Sequence, residues 1–148
     1  MKILILVGSG DVNSHSLALG TAIKAELETH AVDVDIIDLL DYGLPLYSLA
    51  VERADEYDQK TRDFLSKSYA SDAFVWVTPI YHNSFSAILK NALDWQHTRF
   101  QGKVVGFASN GGHRSPQAAD QLMLVARAQR LITTTVRVCT DSADYDDV

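Results

Sequence analysis

Short, almost uninterrupted apolar runs recur along the chain and constrain its fold more than any other feature. The clearest are residues 2–7, 73–78 and 103–108, which consist mainly of Ile, Val, Leu, Phe and Trp. Runs of this kind form strands that are covered on both faces, as in a parallel sheet, whereas half-exposed strands alternate apolar and polar residues. Residues 32–37 and the weaker run 134–139 bring the number of predicted strands to five.

Segments with helical periodicity separate the predicted strands. We expect helices over residues 16–30, 52–68 and 116–131, and a further helix around the apolar positions of residues 88–95. Because strands and helices alternate throughout, the pattern predicts right-handed crossovers and a three-layer α/β/α, doubly wound parallel sheet. Residues 41–50 are interpreted as a structured loop, and nothing after the fifth strand predicts a final helix.

Length and charge limit the classes of protein that need to be considered. A chain of 148 residues suits one domain, which we expect over residues 1–140, with residues 141–148 as a loose acidic tail. The net charge of −6 argues against nucleic acid and anionic membrane surfaces as partners, because both bind basic patches. Cys139 is the single cysteine, so neither an intramolecular disulfide nor a cysteine-rich zinc site is possible. The first apolar run is too short for a secretory signal or a membrane span, and we therefore expect a cytoplasmic protein.

The segment after the first strand is the first candidate site, since ligands of open α/β sheets bind beyond the carboxyl ends of the strands. The hydroxyls of Ser9, Ser14 and Ser16 are suited to hold a phosphate group. Backbone N–H groups near His15, at the start of the following helix, add further donors. An ordinary helix N-cap by Asn13 or Ser14 is the alternative interpretation. Asn13 also occupies the position where a dinucleotide-binding fingerprint needs its third glycine, and no P-loop Gly-Lys-Ser/Thr is present.

The segment after the third strand is the second candidate site. Pro79 stiffens the exit from the strand. Tyr81 and His82 offer flat faces with polar tips, against which a planar ring could lie. A turn that merely caps the sheet is the alternative.

The segment after the fourth strand is the third candidate site. Gly111 and Gly112 allow a backbone to approach a ligand closely, although a plain flexible loop uses the same residues. Arg114 is placed either to meet a phosphate of a nicotinamide cofactor or to lie on the surface at a helix start.

A long motif connects these loops to a known family. The run TPIYHNSFSAILKNALDW, residues 78–95, resembles the signature of the NADPH-dependent FMN reductases, whose usual form is close to Thr-Pro-Glu-Tyr-Asn-Gly-Ser followed by Leu-Lys-Asn-Ala-Ile-Asp-Trp. The runs GSGDVNSHS, LPLY and SNGG are similar to further segments of that family. The resemblance extends over residues 1–138 and is carried by a fairly specific motif.

The resemblance implies a flavodoxin-like fold with strand order 2-1-3-4-5 and an FMN-dependent redox function. Hydride would pass from NADPH or NADH through bound FMN to a small acceptor such as a quinone, an azo compound, a metal oxyanion or free flavin. Family members are commonly homodimers or homotetramers with the flavin near a subunit boundary. The implied FMN-binding residues are Ser9, Ser14, His15 and Ser16 at the phosphate, Pro79, Ile80, Tyr81, His82 and Asn83 along the ribityl chain and ring, and Ser109, Gly111 and Gly112 on the other side of the ring.

This chain departs from the family pattern at several of these positions. Asp11 stands where the family often has arginine, and a carboxylate about 4 Å from a phosphate repels it by about 1 kcal/mol in water. Ile80, His82 and Asn83 replace a glutamate, an asparagine and a glycine, and Asn83 still tolerates a left-handed backbone. Weak or partial FMN occupancy is therefore one expectation.

Two alternative functions stay open on the sequence. A flavodoxin-like electron carrier would bind FMN without reacting with a nicotinamide, and a non-catalytic binding module would have lost FMN. A response-regulator receiver is disfavoured because Gly8-Ser9 and Thr78-Pro79 stand where it needs acidic residues, and five histidines without ligand spacing argue against a metal hydrolase. Since the flavin carries the chemistry, we name no catalytic residue, with His82 as a candidate proton donor.

Overall fold

The computed structural model describes residues 1–96 and 100–145, which fold around one parallel sheet. Its strands are β1 (Lys2–Val7), β2 (Asp33–Asp38), β3 (Ala73–Pro79), β4 (Val104–Asn110) and β5 (Ile132–Thr140). Their order is β2-β1-β3-β4-β5, and every neighbouring pair is parallel. The predicted doubly wound sheet and its strand order are confirmed.

Helices cover both faces of the sheet. They are α1 (His15–Glu28), α2 (Leu39–Tyr42), α3 (Leu49–Ala54), α4 (Gln59–Ala70), α5 (Ala87–Trp95) and α6 (Gln117–Ala128). Helix α1 packs on one face, where Leu19 joins Val77 in a small core. Helices α4, α5 and α6 cover the other face and contribute Phe64, Leu93 and Leu122 to the larger core. No helix within the described ranges is both long and apolar enough to cross a bilayer.

The central and edge strands differ sharply in burial. Leu4, Leu6 and Val7 of β1 are fully excluded from solvent, as the uninterrupted apolar run predicts. On β5, Val138 lies beside Ala108 of the small core and is still 42% exposed. Within the described residues, β5 is followed by a 3₁₀ turn and by no further α-helix.

Two of the predicted segments are wrong in detail. The single helix expected over residues 52–68 is two helices, α3 and α4, because Asp55 takes a left-handed backbone with φ of 57° that ends α3. The side chain of Asp58 then accepts from the backbone N–H of Thr61 and begins α4. The loop expected over residues 41–50 contains the end of α2, which Asp38 caps through the N–H of Leu40.

Helix α5 approaches the end of β1 closely at Gly8. A Cβ atom at this position would lie 2.4 Å from Cβ of Leu89 and 2.8 Å from Oγ of Ser86. Gly10, two residues further on, has its nearest neighbours at 3.7 Å. The first loop therefore begins with a glycine that the packing of α5 requires.

We expect Gly8→Ala to lower the free energy of unfolding by about 1–3 kcal/mol, because the added methyl group has to displace helix α5. Urea denaturation measures this change. Gly10→Ala is the matched control and should stay close to the parent protein. Equal losses in the two variants would contradict the proposed close packing.

Candidate functional site

One cleft lies at the carboxyl ends of β1, β3 and β4 and has a volume of about 270 Å³. The loops that follow these three strands line it. Eight of the twelve residues predicted from the sequence are among the lining, namely Ser9, Ser14, His15, Ser16, Pro79, Ile80, Tyr81 and Gly111. The cleft is completed by Asp11, Asn13 and Asn110.

The loop after β1 presents hydroxyl groups at the N-terminus of α1. Ser14 is the N-cap, and its Oγ accepts from the backbone N–H of Leu17 at 3.1 Å. The capping interpretation is thus confirmed for Ser14. Ser9 is 3% exposed, and its Oγ accepts from the N–H of Asp11, which leaves its own hydrogen free to donate. Ser16 is 2% exposed and has no side-chain hydrogen bond to another described residue.

The carboxylate of Asp11 belongs to this cleft. Its Oδ1 accepts from the backbone N–H of Asn13 at 3.0 Å, so the carboxylate caps a donor of the loop. Within residues 1–96 and 100–145, no lysine or arginine lines the cleft. Positive potential comes instead from the N-terminus of α1, whose first N–H groups have no acceptor inside the helix.

The loop after β3 folds into a tight turn. Tyr81 and Ser84 exchange two backbone hydrogen bonds of 2.9 Å, and His82 and Asn83 between them have φ of 49° and 63°. Positive φ at both central residues is the hallmark of a type I′ turn. Gln121 of α6 fixes this turn, donating to the carbonyl of Asn83 and accepting from the hydroxyl of Ser84, each at 2.7 Å. His82 and Asn83 are exposed and lie outside the lining of the cleft, whereas Tyr81 lines it.

The end of β4 and the loop after it contribute less than their sequence suggests. Ser109 is fully buried, 3.6 Å from the sulfur of Cys139, and it does not line the cleft. Gly112 also lies outside the lining, while Gly111 takes a φ of 110° that favours glycine. Asn110 lines the cleft and was missed, although it lies just beyond the strand predicted over residues 103–108, between Ser109 and Gly111.

Arg114 is engaged by the acidic segment that follows β5. Its guanidinium donates to both carboxylate oxygens of Asp144, at 2.9 and 2.5 Å, and lies 3.7 Å from Asp141. The hydrogen bond to Asp144 raises the pKa of Arg114, and in return holds the pKa of Asp144 at about 2. The segment that we expected to be loose forms a 3₁₀ turn over Ser142–Asp144, and residues 146–148 lie outside the described residues.

Comparisons with known proteins identify similar sequences along almost the whole chain. A family model described as NADPH-dependent FMN reductase matches residues 1–142. An FMN-dependent NADPH-azoreductase of Staphylococcus haemolyticus is 38% identical over 149 residues, covering 98% of this chain and 79% of that protein. A protein of the same description from Staphylococcus aureus is 35% identical with the same coverage.

Solved structures share the fold. The flavoenzyme FerB, an NAD(P)H:(acceptor) oxidoreductase from Paracoccus denitrificans, superposes with a TM-score of 0.78 at 19% identity, covering 91% of this chain and 75% of its own. The apo form of an NADH:FMN oxidoreductase gives a TM-score of 0.78 at 23% identity, covering 99% and 80%. At these identities the likeness establishes the architecture of the sheet and its helices.

We expect Ser14→Ala to lower the free energy of unfolding by about 1 kcal/mol, because α1 loses its N-cap. Equilibrium unfolding in urea measures the loss. Ser14→Asp keeps an acceptor for the N–H of Leu17 and should retain most of the stability. A Ser14→Ala protein as stable as the parent would show that the capping bond does not contribute.

Proposed function

The chain belongs to the NADPH-dependent FMN reductase family, and on this premise we propose that it is an FMN-dependent oxidoreductase that uses NADPH to reduce a small aromatic acceptor. The observation that carries the proposal is that residues after β1, β3 and β4 meet in one cleft. The cleft lies at the carboxyl ends of the strands, which is the edge of the sheet where open α/β proteins bind their ligands.

The residues of the cleft fit FMN. The loop after β1 offers the hydroxyls of Ser9 and Ser16, both nearly buried, together with the N-terminus of α1, and this donor set suits a phosphate. The segment that ends β3 and follows it offers Pro79, Ile80 and the partly exposed ring of Tyr81, which suit a flat ring. The lining therefore contains both polar donors for the phosphate and apolar surface for the ring of the cofactor.

Each group of residues then has a distinct role in the proposal. Ser9, Ser14 and Ser16, with the backbone near His15, hold the phosphate. When bound, FMN supplies the hydride chemistry that no side chain of the protein provides. The remaining predicted residues, which are His82, Asn83, Ser109 and Gly112, support the turns from outside the cleft. We assign no proton transfer to His82, because its side chain is not part of the lining.

An apolar pocket supports an aromatic acceptor such as an azo compound or a quinone. It measures about 350 Å³ and is lined by Leu39, Leu40, Gly43, Leu44, Leu46, Ala87, Ile88 and Asn91. The apolar pocket and the cleft adjoin at Gly10. A Cβ atom on this residue would lie 3.7 Å from Cδ1 of Ile88, which lines the apolar pocket, and 3.7 Å from the hydroxyl of Tyr81, which lines the cleft. The two S. haemolyticus and S. aureus relatives carry the name azoreductase, in line with this class of acceptor.

We also propose that the chain assembles as a homodimer or homotetramer. Leu46, which lines the apolar pocket, is 85% exposed, so this part of the surface presents apolar area that contact with another subunit would remove from water. Sedimentation equilibrium tests the assembly. The cytoplasmic location stays a prediction from the sequence.

The central experiment adds FMN to the purified protein, removes the excess and records the visible spectrum before and after NADPH. We expect a yellow protein that bleaches on addition of NADPH and recovers its colour with an azo dye or quinone. A yellow protein that NADPH leaves unchanged would identify an electron carrier. A colourless protein would identify a binding module that has lost the cofactor.

We expect Asp11→Asn to bind FMN about fivefold more tightly, because it removes a carboxylate that repels the phosphate by about 1 kcal/mol. Quenching of flavin fluorescence measures both dissociation constants. Riboflavin, which lacks the phosphate, should bind the two proteins equally, and Asp33→Asn on β2 serves as a remote charge control. An equal gain for riboflavin would show that Asp11 acts on the ring or on the fold instead.

A further inference from the structure

The acidic segment after β5 has a defined backbone. Asp141 Oδ1 accepts from the N–H of Ala143 at 3.0 Å, and Asp144 Oδ2 accepts from the N–H of Asp141 at 2.9 Å. These reciprocal bonds form a capping box around the turn Ser142–Asp144. The turn is thus closed by its own carboxylates, and Asp144 still pairs with Arg114.

The pair between Arg114 and Asp144 also fixes the loop after β4. His113 and Arg114 have φ of 55° and 58°, a left-handed conformation that costs a residue with a side chain roughly 1–2 kcal/mol. A bidentate guanidinium–carboxylate pair has a fixed geometry and can hold Arg114 in this conformation. The Arg114–Asp144 pair therefore connects the segment after β5 to the loop after β4.

Tyr145 ties the same segment to the first loop. Its ring stacks on the ring of His15, with centroids 4.6 Å apart and planes 15° from parallel. His15 is the first residue of α1 and lines the cleft. The tyrosine side chain also packs against the small core on the α1 face of the sheet.

The hydroxyl of Tyr145 is also linked, through Thr140, to the end of β4. It lies 2.8 Å from Oγ1 of Thr140, and that oxygen lies 3.1 Å from Oδ1 of Asn110. The amide oxygen of Asn110 can only accept, so Thr140 donates its one hydroxyl hydrogen to it. Thr140 Oγ1 therefore accepts the hydrogen bond from the hydroxyl of Tyr145. This chain of hydrogen bonds ends on a residue that lines the cleft.

We propose that Tyr145 and the Arg114–Asp144 pair form a clasp that positions His15 and the first loop for the phosphate of the flavin. Tyr145 is in this sense a positioning residue, since it acts through His15 and Asn110. The inference rests on the proposed function for the identity of the ligand. The coupling between the clasp and the first loop is a property of the protein without ligand.

Hydrogen exchange on the protein without flavin tests the coupling directly. We compare the parent with Tyr145→Ala, which removes the stack, Tyr145→Phe, which keeps the ring and loses the hydroxyl, and Asp144→Asn, which breaks the ion pair. Tyr145→Ala should accelerate exchange in a peptide covering residues 9–18 about tenfold, while a peptide covering β2 keeps the parent rate. Tyr145→Phe and Asp144→Asn should each give a smaller acceleration, and Asp35→Asn, which breaks the surface pair with Lys2, should give none.

Flavin binding provides the second measurement. The dissociation constant of FMN should rise about two- to tenfold in Tyr145→Ala, the range expected for losing one aromatic pair, while that of riboflavin stays within twofold. Unchanged exchange in residues 9–18 would overturn the clasp whatever the flavin does. Equal losses for FMN and riboflavin would overturn its role at the phosphate. If the parent binds neither flavin, the proposed function is wrong. Hydrogen exchange in residues 9–18 still tests whether the clasp positions the first loop.

Discussion

Burial of the central strands on both faces determines where the functional residues lie. Leu4 and Leu6 of β1 and Trp76 and Val77 of β3 are excluded from solvent, so helices have to cover the sheet from both sides. Connections that place helices on both faces make neighbouring strands parallel, and parallel strands end at the same edge. Three segments that are distant in the sequence therefore meet in one cleft, and the chemistry of the site follows from the residues that happen to follow each strand.

The same constraint explains how much the sequence could predict. The apolar run of β1 predicted its bounds directly, whereas the order of the strands, which the structure confirms, was predicted from the family resemblance and not from the apolar pattern. The division between α3 and α4 was missed because it depends on one left-handed residue, Asp55, and one side-chain cap, Asp58, neither of which changes the apolar pattern. The ends of the predicted strands indicated which loops line the cleft. The family motif over residues 78–95 does not show which side chains of a turn face into the cleft. A type I′ turn directs His82 and Asn83 away from the lining and leaves Tyr81 in it.

In the proposed complex, the loop after β1 holds the phosphate with hydroxyls and a helix terminus in place of a fixed cation. A helix N-terminus is equivalent to roughly half a positive charge, and the carboxylate of Asp11, which lines the same cleft, opposes it. Electrostatic attraction therefore contributes little, and the phosphate has to be held by well-placed donors such as Ser9 and Ser16. The energy of a hydrogen bond falls far more steeply with the displacement of its atoms than the energy of a charge interaction does. A loop of this kind needs external support more than one that carries an arginine.

The segment after β5 can supply that support although its composition suggests a solvated tail. Acidic segments stay unfolded when their carboxylates repel one another and no apolar surface is available. Here the carboxylate oxygens of Asp141 and Asp144 accept hydrogen bonds from backbone N–H groups, and Asp144 also accepts from Arg114. The ring of Tyr145 stacks on the ring of His15. Neutralisation by Arg114 has a second consequence. It limits the negative charge that this segment brings to the edge of a cleft suited to a phosphate, so the residue that orders the segment also makes its presence there compatible with binding an anion.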